Sequence, residues 1–306
     1  MSKDLSKLAG IDDVLHDPET AHLMINLNKV LSRNDIPGIE IQTEELSDGV
    51  SIKMVVKEGA IIKKPVHLCL GITHTQAVQR ILMDIIVEDG AKIDIFSHCI
   101  FPYGGDIKHI MNATAKIGRG ANYSYIERHI HSPKGGIFID TKTKVSLGEG
   151  ARYKSDFELL RGRVGEINLD YEAECDARSV VEMTTKISGS GDDIIKTRET
   201  AYLVGEHSTG VLNSRIAVKD EARAEVYNKL VARAAYARGH VDCKEIVQGR
   251  GSAQAIPIVE VAHPKAHITH EAAIGSVDTK QLETLMARGL SEEEAVDLIV
   301  SGLLGA

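Results

Sequence analysis

The chain has 306 residues, 43% apolar and 26% charged, enough apolar material for a substantial core and too much for a disordered chain. Its 36 Lys and Arg against 44 Asp and Glu give a formal net charge of −8, which argues against nucleic-acid binding, a process driven by basic residues neutralising phosphates. Apolar runs are short and broken by charge, and the first ten residues lack an apolar leader region, so neither a membrane span nor a secretory signal is expected and the cytoplasm is the default compartment.

In chain order, Asp17-Pro18-Glu19 is a helix start, with Asp as N-cap and Pro at the first helical position, and Leu23, Leu27, Val30 and Leu31 form one apolar stripe after it. From Gly59-Ala60 onward a repeat appears. Gly-Ala pairs recur at Gly90-Ala91, Gly120-Ala121 and Gly150-Ala151, with weaker echoes near Ala177 and Ala222. Strict alternation follows the corners, as in Ile93 and Ile95 against Lys92 and Asp94, and period two means strands. Residues 222–238 are Ala-rich, yet Ala224, Val226, Leu230 and Ala232 alternate with charged residues, so a strand is expected there despite the helix propensity.

A strand-turn-strand unit of this length cannot bury its own face and must stack on copies of itself. The fold expected is therefore all-β with terminal helices, a parallel β-helix whose interior is a narrow stack of aliphatic rungs. That interior accounts for a chain with 8 Tyr, 4 Phe and no Trp. At the C-terminus Asp278 and Ser291 begin two short helices as caps, Gly289 separates them, and Leu282, Leu285, Met286 and Leu290, then Ala295, Leu298, Ile299 and Leu303, give each an apolar face. Three segments result: 1–38 helical, 39–262 the β-helix, and 263–306 helical and suited either to capping the solenoid or to binding a partner.

Signatures of nucleotide, serine-hydrolase and zinc-protease chemistry are absent; His270-Glu271-Ala272-Ala273-Ile274 begins like a zinc motif but has Ile where the second His must stand. Cys69, Cys99, Cys175 and Cys243 are far apart with no C-x-x-C, which points to free thiols. Two clusters could hold a metal. His240-Val241-Asp242-Cys243 pairs a soft thiolate with an imidazole, suited to iron, zinc or copper, although by strand parity Cys243 also fits a small core position. His263, His267, His270 and Glu271 lie within nine residues around Pro264. Cys69, Cys99 and His129 are spaced at the repeat period, but their register slips against the Gly-Ala corners, so the column reads as accidental and Cys99 as core.

From about 237 to 302 the chain resembles the SufB/SufD proteins of iron–sulfur cluster assembly. The match runs through Ala237-Arg238, Cys243, Gly249, Ile256 to Val261, Pro264-Lys265-Ala266, His270-Glu271-Ala272, Asp278 to Leu282 and Arg288 to Ala295, in the family's order. Where SufB has an Arg-Gly-Leu-Val segment this chain reads Asn228-Lys229-Leu230-Val231. The resemblance implies a right-handed parallel β-helix that pairs through its strands, either with itself or with a second SufB/SufD-type subunit. It implies an ABC-type ATPase like SufC as partner, docked on the C-terminal helices through Leu282, Leu285, Met286, Arg288, Leu290 and Glu294. It also implies a nascent iron–sulfur cluster held near the subunit interface by Cys243 and Glu271, in a scaffold rather than an enzyme, and the two metal-capable clusters add His240 and His270 as candidate ligands. The rival readings are a carbohydrate-active β-helix enzyme, disfavoured by the scarcity of aromatic platforms, and a structural subunit without metal.

Overall fold

The alternation read from the repeat builds the molecule. In the computed structural model, which describes residues 2–305, alternate strands of the winding fall into a ten-stranded and a nine-stranded sheet, each ending in one antiparallel hairpin strand near the N-terminus, stacked as a parallel β-solenoid of about eight turns. Lys92 stands level with Asn122 and Asn122 with Arg152, steps of 30 residues. Beyond that the step tightens, to 28 between Arg152 and Val180 and to 29 from Val180 to Thr209, Arg238 and His267. Side chains of one parity from both sheets meet in a single core that runs the length of the solenoid.

The change of step explains the fading Gly-Ala signal. One corner of each turn takes a left-handed residue, and Gly90, Gly120 and Gly150 are followed in that column by Arg178, His207 and Tyr236, all with φ between 58° and 68°. What persists is the small residue after it: Ala91, Ala121, Ala151, Ser179, Ser208 and Ala237 are all fully buried. The two serines stay satisfied there because Ser179 Oγ donates to Asp176 O at 2.6 Å and Ser208 Oγ to Gly205 O at 2.7 Å. The Ala-rich segment is a strand, Arg223–Ala232, as its alternation requires.

Three expectations are corrected. No helix begins at Asp17. The segment forms strands His22–Asn26 and Lys29–Asn34, joined by a tight turn at Leu27 (φ 54°), and Asp17 instead caps a turn, accepting from Glu19 N at 3.0 Å and Thr20 Oγ1 at 2.6 Å. The N-terminal helix is α1, Ser2–Ala9, which lies on the outside of the first sheet with Leu5 against Met24, Cys69 and Ile100. It comes so close that a Cβ on Gly71 would meet Leu5 Cδ1 at 2.6 Å. Second, the interior is not purely aliphatic: Phe101, Tyr123, Tyr125, Tyr153, Phe157 and Tyr171 are buried in it. Third, the column of period-spaced residues is half real. Cys69 is level with His98 and faces α1, whereas Cys99 is level with His129 and both point inward.

The two ends are built differently. At the start the chain doubles back in two antiparallel hairpins, and Glu45 ties their outer strands together, bonding Lys29 Nζ at 2.6 Å and accepting from Val30 N at 3.1 Å. At the other end the solenoid continues to Gly275 and stops on two strands, Ser252–Val261 and His267–Gly275, with little burial on either. Helices α2 (Thr279–Met286) and α3 (Glu292–Leu304) do not cover that end. They ride on the flank, where Val296 and Val300 meet Gly189, Ala217 and Val218, with Ala295 and Leu304 buried and Leu298 left 52% exposed. Both expected caps form: Asp278 Oδ1 accepts from Gln281 N at 2.8 Å, and Ser291 and Glu294 close a reciprocal capping box. Among the described residues no helix is long and apolar enough to cross a membrane.

Candidate metal-binding site at the open end

Cys243 lies on the strand Arg238–Val247, one strand below the open edge, and shares inward parity with Val241 and Glu245. It is fully buried. Asn228, from the facing sheet, directs Nδ2 at its sulfur at 3.4 Å, and Ser214 stands level with it on the preceding rung. Ser214 Oγ donates to Glu245 Oε1 at 3.0 Å, and deeper along the core Thr185 Oγ1 donates to Glu199 Oε1 at 2.7 Å. Asn228 Oδ1, Glu245 Oε2 and Glu199 Oε2 are buried with no hydrogen-bond partner among the described residues. Such groups are costly unless something supplies the missing partner.

Burial pushes the Cys243 thiol up, opposed by the Ser214 hydroxyl. It likewise lifts the carboxyls of Glu245 and Glu199 to about 7. A soft sulfur donor beside carboxyls poised near neutrality can take up a thiophilic ion, with the displaced thiol proton taken by a neighbouring carboxylate or by water.

The other three sequence candidates sit differently. His270 is level with Val241, so it shares the inward parity of Cys243, but nothing lies beyond its strand and it is exposed. Glu271 is level with Asp242 and faces outward, its carboxylate 4.0 Å from Lys244 Nζ. Lys244 also reaches Asp242 at 3.4 Å, and Arg215 pairs with Asp242 as well. His240 is on that outer face too, with Nδ1 2.8 Å from Thr269 Oγ1. One copy of the chain thus separates the four onto two faces. His263 and His267 lie at the exposed edge, away from the thiol.

Asn228, Ser214, Glu245 and Glu199 were not found from sequence as companions of Cys243. Their signal was available: each is a polar residue on a parity that is mainly apolar, as Glu199 is among Ile195, Ala201 and Leu203. They lie 2 to 44 residues from the cysteine, and only the stacking of rungs brings them together.

Residues 69–303 match the family described as SUF system FeS cluster assembly, SufBD core domain. The chain is 39% identical to an iron-sulfur cluster assembly SufBD family protein of Methanocaldococcus jannaschii, over 96% of this chain and 93% of that one. It is 37% identical to a protein of the same description from Pyrococcus horikoshii, over 99% and 92%. With the iron-sulfur cluster assembly protein SufB of Bacillus subtilis the identity is 22% over 81% of this chain and 54% of SufB.

Proposed function

The chain belongs to the SufBD family of iron–sulfur cluster assembly, and from that premise we propose that it is a scaffold subunit holding a nascent cluster where two such solenoids meet end to end. The observation that carries the reading is the position of Cys243, one strand inside an end whose last strand, His267–Gly275, leaves its outer edge unpaired. An open parallel edge is a template for another chain. The opposite end is blunted by its hairpins and by Glu45.

A cluster commonly takes about four protein ligands, and this end offers a single thiol per copy. Pairing adds donors from the second copy: its Cys243 and the exposed His270 of both joined edges on the inward parity, with Glu271 on the outer face of the same seam. The cluster is cargo, and the chain needs no catalysis of its own. Work would come from an ABC-type ATPase seated on α2 and α3, where Gln281, Leu285, Leu298 and Ile299 line an open groove of about 590 Å³.

The test is anaerobic reconstitution of the full chain with iron and sulfide, followed by gel filtration and visible absorption. A cluster retained on a dimer is expected from the wild-type chain and none from Cys243→Ala. A cluster of wild-type yield and spectrum on Cys243→Ala would remove the assignment.

A further inference from the structure

Midway along the solenoid, four turns from Cys243, a second set of donors is sealed in the core. Cys99 and His129 are level on neighbouring strands, and Glu127 shares their inward parity two residues before His129. One donor atom from each lies within 4.8 Å of the other two, with Cys99 Sγ 3.9 Å from Glu127 Oε1 and Glu127 Oε1 2.8 Å from His129 Nε2. Zinc-like ions bind sulfur at about 2.3 Å and nitrogen at about 2.0 Å, so three ligands of one ion stand roughly 3 to 4 Å apart. Cys99 Sγ and Glu127 Oε1 already stand near that spacing, and Glu127 Oε1 and His129 Nε2 need to part by about half an ångström.

The hydrogen bonds settle which nitrogen is free. Arg163 O can only accept, so His131 Nδ1, 3.2 Å away, carries a proton and His131 Nε2 is bare. His129 Nδ1, 3.1 Å from that bare nitrogen, must therefore donate, which leaves the lone pair of His129 Nε2 aimed at Glu127. A backbone carbonyl thus fixes the tautomer through two imidazoles, the arrangement that orients a ligating histidine from behind.

A second relay does the same across the core. Gln79 Nε2 donates to Leu27 O at 2.8 Å, so Gln79 Oε1 accepts from His109 Nδ1 at 2.9 Å. His109 Nε2 is left as a buried lone pair with no partner, on a ring 6.3 Å from that of His129. Glu127 Oε2 is likewise buried with no close partner among the described residues, and the Tyr125 and Tyr171 hydroxyls beside Glu127 are themselves unpartnered. An apolar filling would occupy this space without stranding these polar atoms.

We propose that Cys99, Glu127 and His129 bind one borderline divalent transition ion, of the zinc or ferrous class, inside the solenoid, with His109 facing the fourth position. The donor set of one thiolate, one carboxylate and one or two imidazoles suits those ions over magnesium or calcium. Binding displaces the thiol proton and the proton shared between Glu127 and His129. This ion is structural and separate from any cluster at Cys243.

The experiment expresses the full chain with Cys243→Ala in cobalt-supplemented minimal medium, which removes the other candidate thiol. About one cobalt per chain should survive desalting, with a thiolate-to-cobalt charge-transfer band in the near ultraviolet. Added Cys69→Ala and Cys175→Ala should leave the band in place. Cys99→Ala should abolish it, and the near-isosteric Glu127→Gln should lower retention about tenfold or more. No bound cobalt in the folded Cys243→Ala chain overturns the proposal, as does an unchanged band in Cys99→Ala. If Cys99→Ala does not fold, undiminished retention in Glu127→Gln overturns it. Cluster assembly on the wild-type chain is a separate measurement, so either result stands without the other.

Discussion

Glu271 stands level with Asp242 rather than with Cys243, so the carboxylate and the thiol occupy opposite faces of one sheet although their strands are hydrogen-bonded neighbours. They cannot chelate one ion within a single copy. Replacing Glu271 by Gln should therefore leave the alkylation rate of Cys243 in the unpaired chain unchanged at every pH, while reducing cluster retention in the assembled form. Asn228→Leu should do the reverse to the free thiol. Removing the donor 3.4 Å from Sγ moves its titration further up, read as a shift of the alkylation profile to higher pH.

Glu199 makes a stability prediction with a definite sign. Burial raises its carboxyl from 4.5 to about 7, so the folded chain keeps a proton that the unfolded chain releases between those values. Stability from this group is greatest below pH 4.5, falls as pH rises to 7, and stays at its reduced level above. Glu199→Gln retains an acceptor for Thr185 and removes the titration. Urea midpoints should be similar for the two chains at pH 4.5 and favour the variant at pH 8, by up to about 3 kcal/mol.

The corner column predicts opposite outcomes at equivalent places. Gly120 has open space where a Cβ would go, but its φ of 64° strains any other residue, so Gly120→Ala should cost about 1 kcal/mol in chemical denaturation. Arg178→Gly at the same corner should gain somewhat less than that, because the exposed ion pair of Arg178 with Glu149 is lost with the strain. Tyr236→Gly should gain less, because Tyr236 stacks on His207 at 4.8 Å with Lys265 over its ring, and those contacts offset the strain.

Leu298 is half exposed on α3 and faces the groove shared with α2, away from the Val296, Val300 and Leu304 side that packs on the solenoid. Leu298→Asp should leave the thermal midpoint of the isolated chain within about 1 °C, since it touches no core. It should also abolish co-purification with the cognate ABC-type ATPase, measured by pull-down. Retained binding would move the docking surface elsewhere.

The solenoid was legible because a repeated alternation reports which face is buried, and it outweighed helix propensity at Ala224 to Ala232. The first strand was not. His22–Asn26 is buried on both faces, one by the core and the other by α1, so it reads as an apolar run without alternation, and the local capping pattern at Asp17 mimics a helix start. At the site, Cys243 stands out as a sulfur near imidazoles, whereas Glu127, Glu199 and Glu245 carry no motif and are placed inside only by strand parity. The register slip in the Cys69, Cys99, His129 column belongs only to Cys69, which lies on the outer face under α1, while Cys99 and His129 are in phase.

The two ends of the ladder stop in different ways. In a stack of turns each is held only by its neighbours, so a turn with one neighbour opens more often than the rest. Here that turn is His267–Gly275, the lid over Cys243. A chain laid along its edge would complete the fold and shut the thiol from water with the same hydrogen bonds, and departure of that chain would undo both. Safekeeping of a labile cargo would then be a property of the joined pair, switched on by assembly and off by its release.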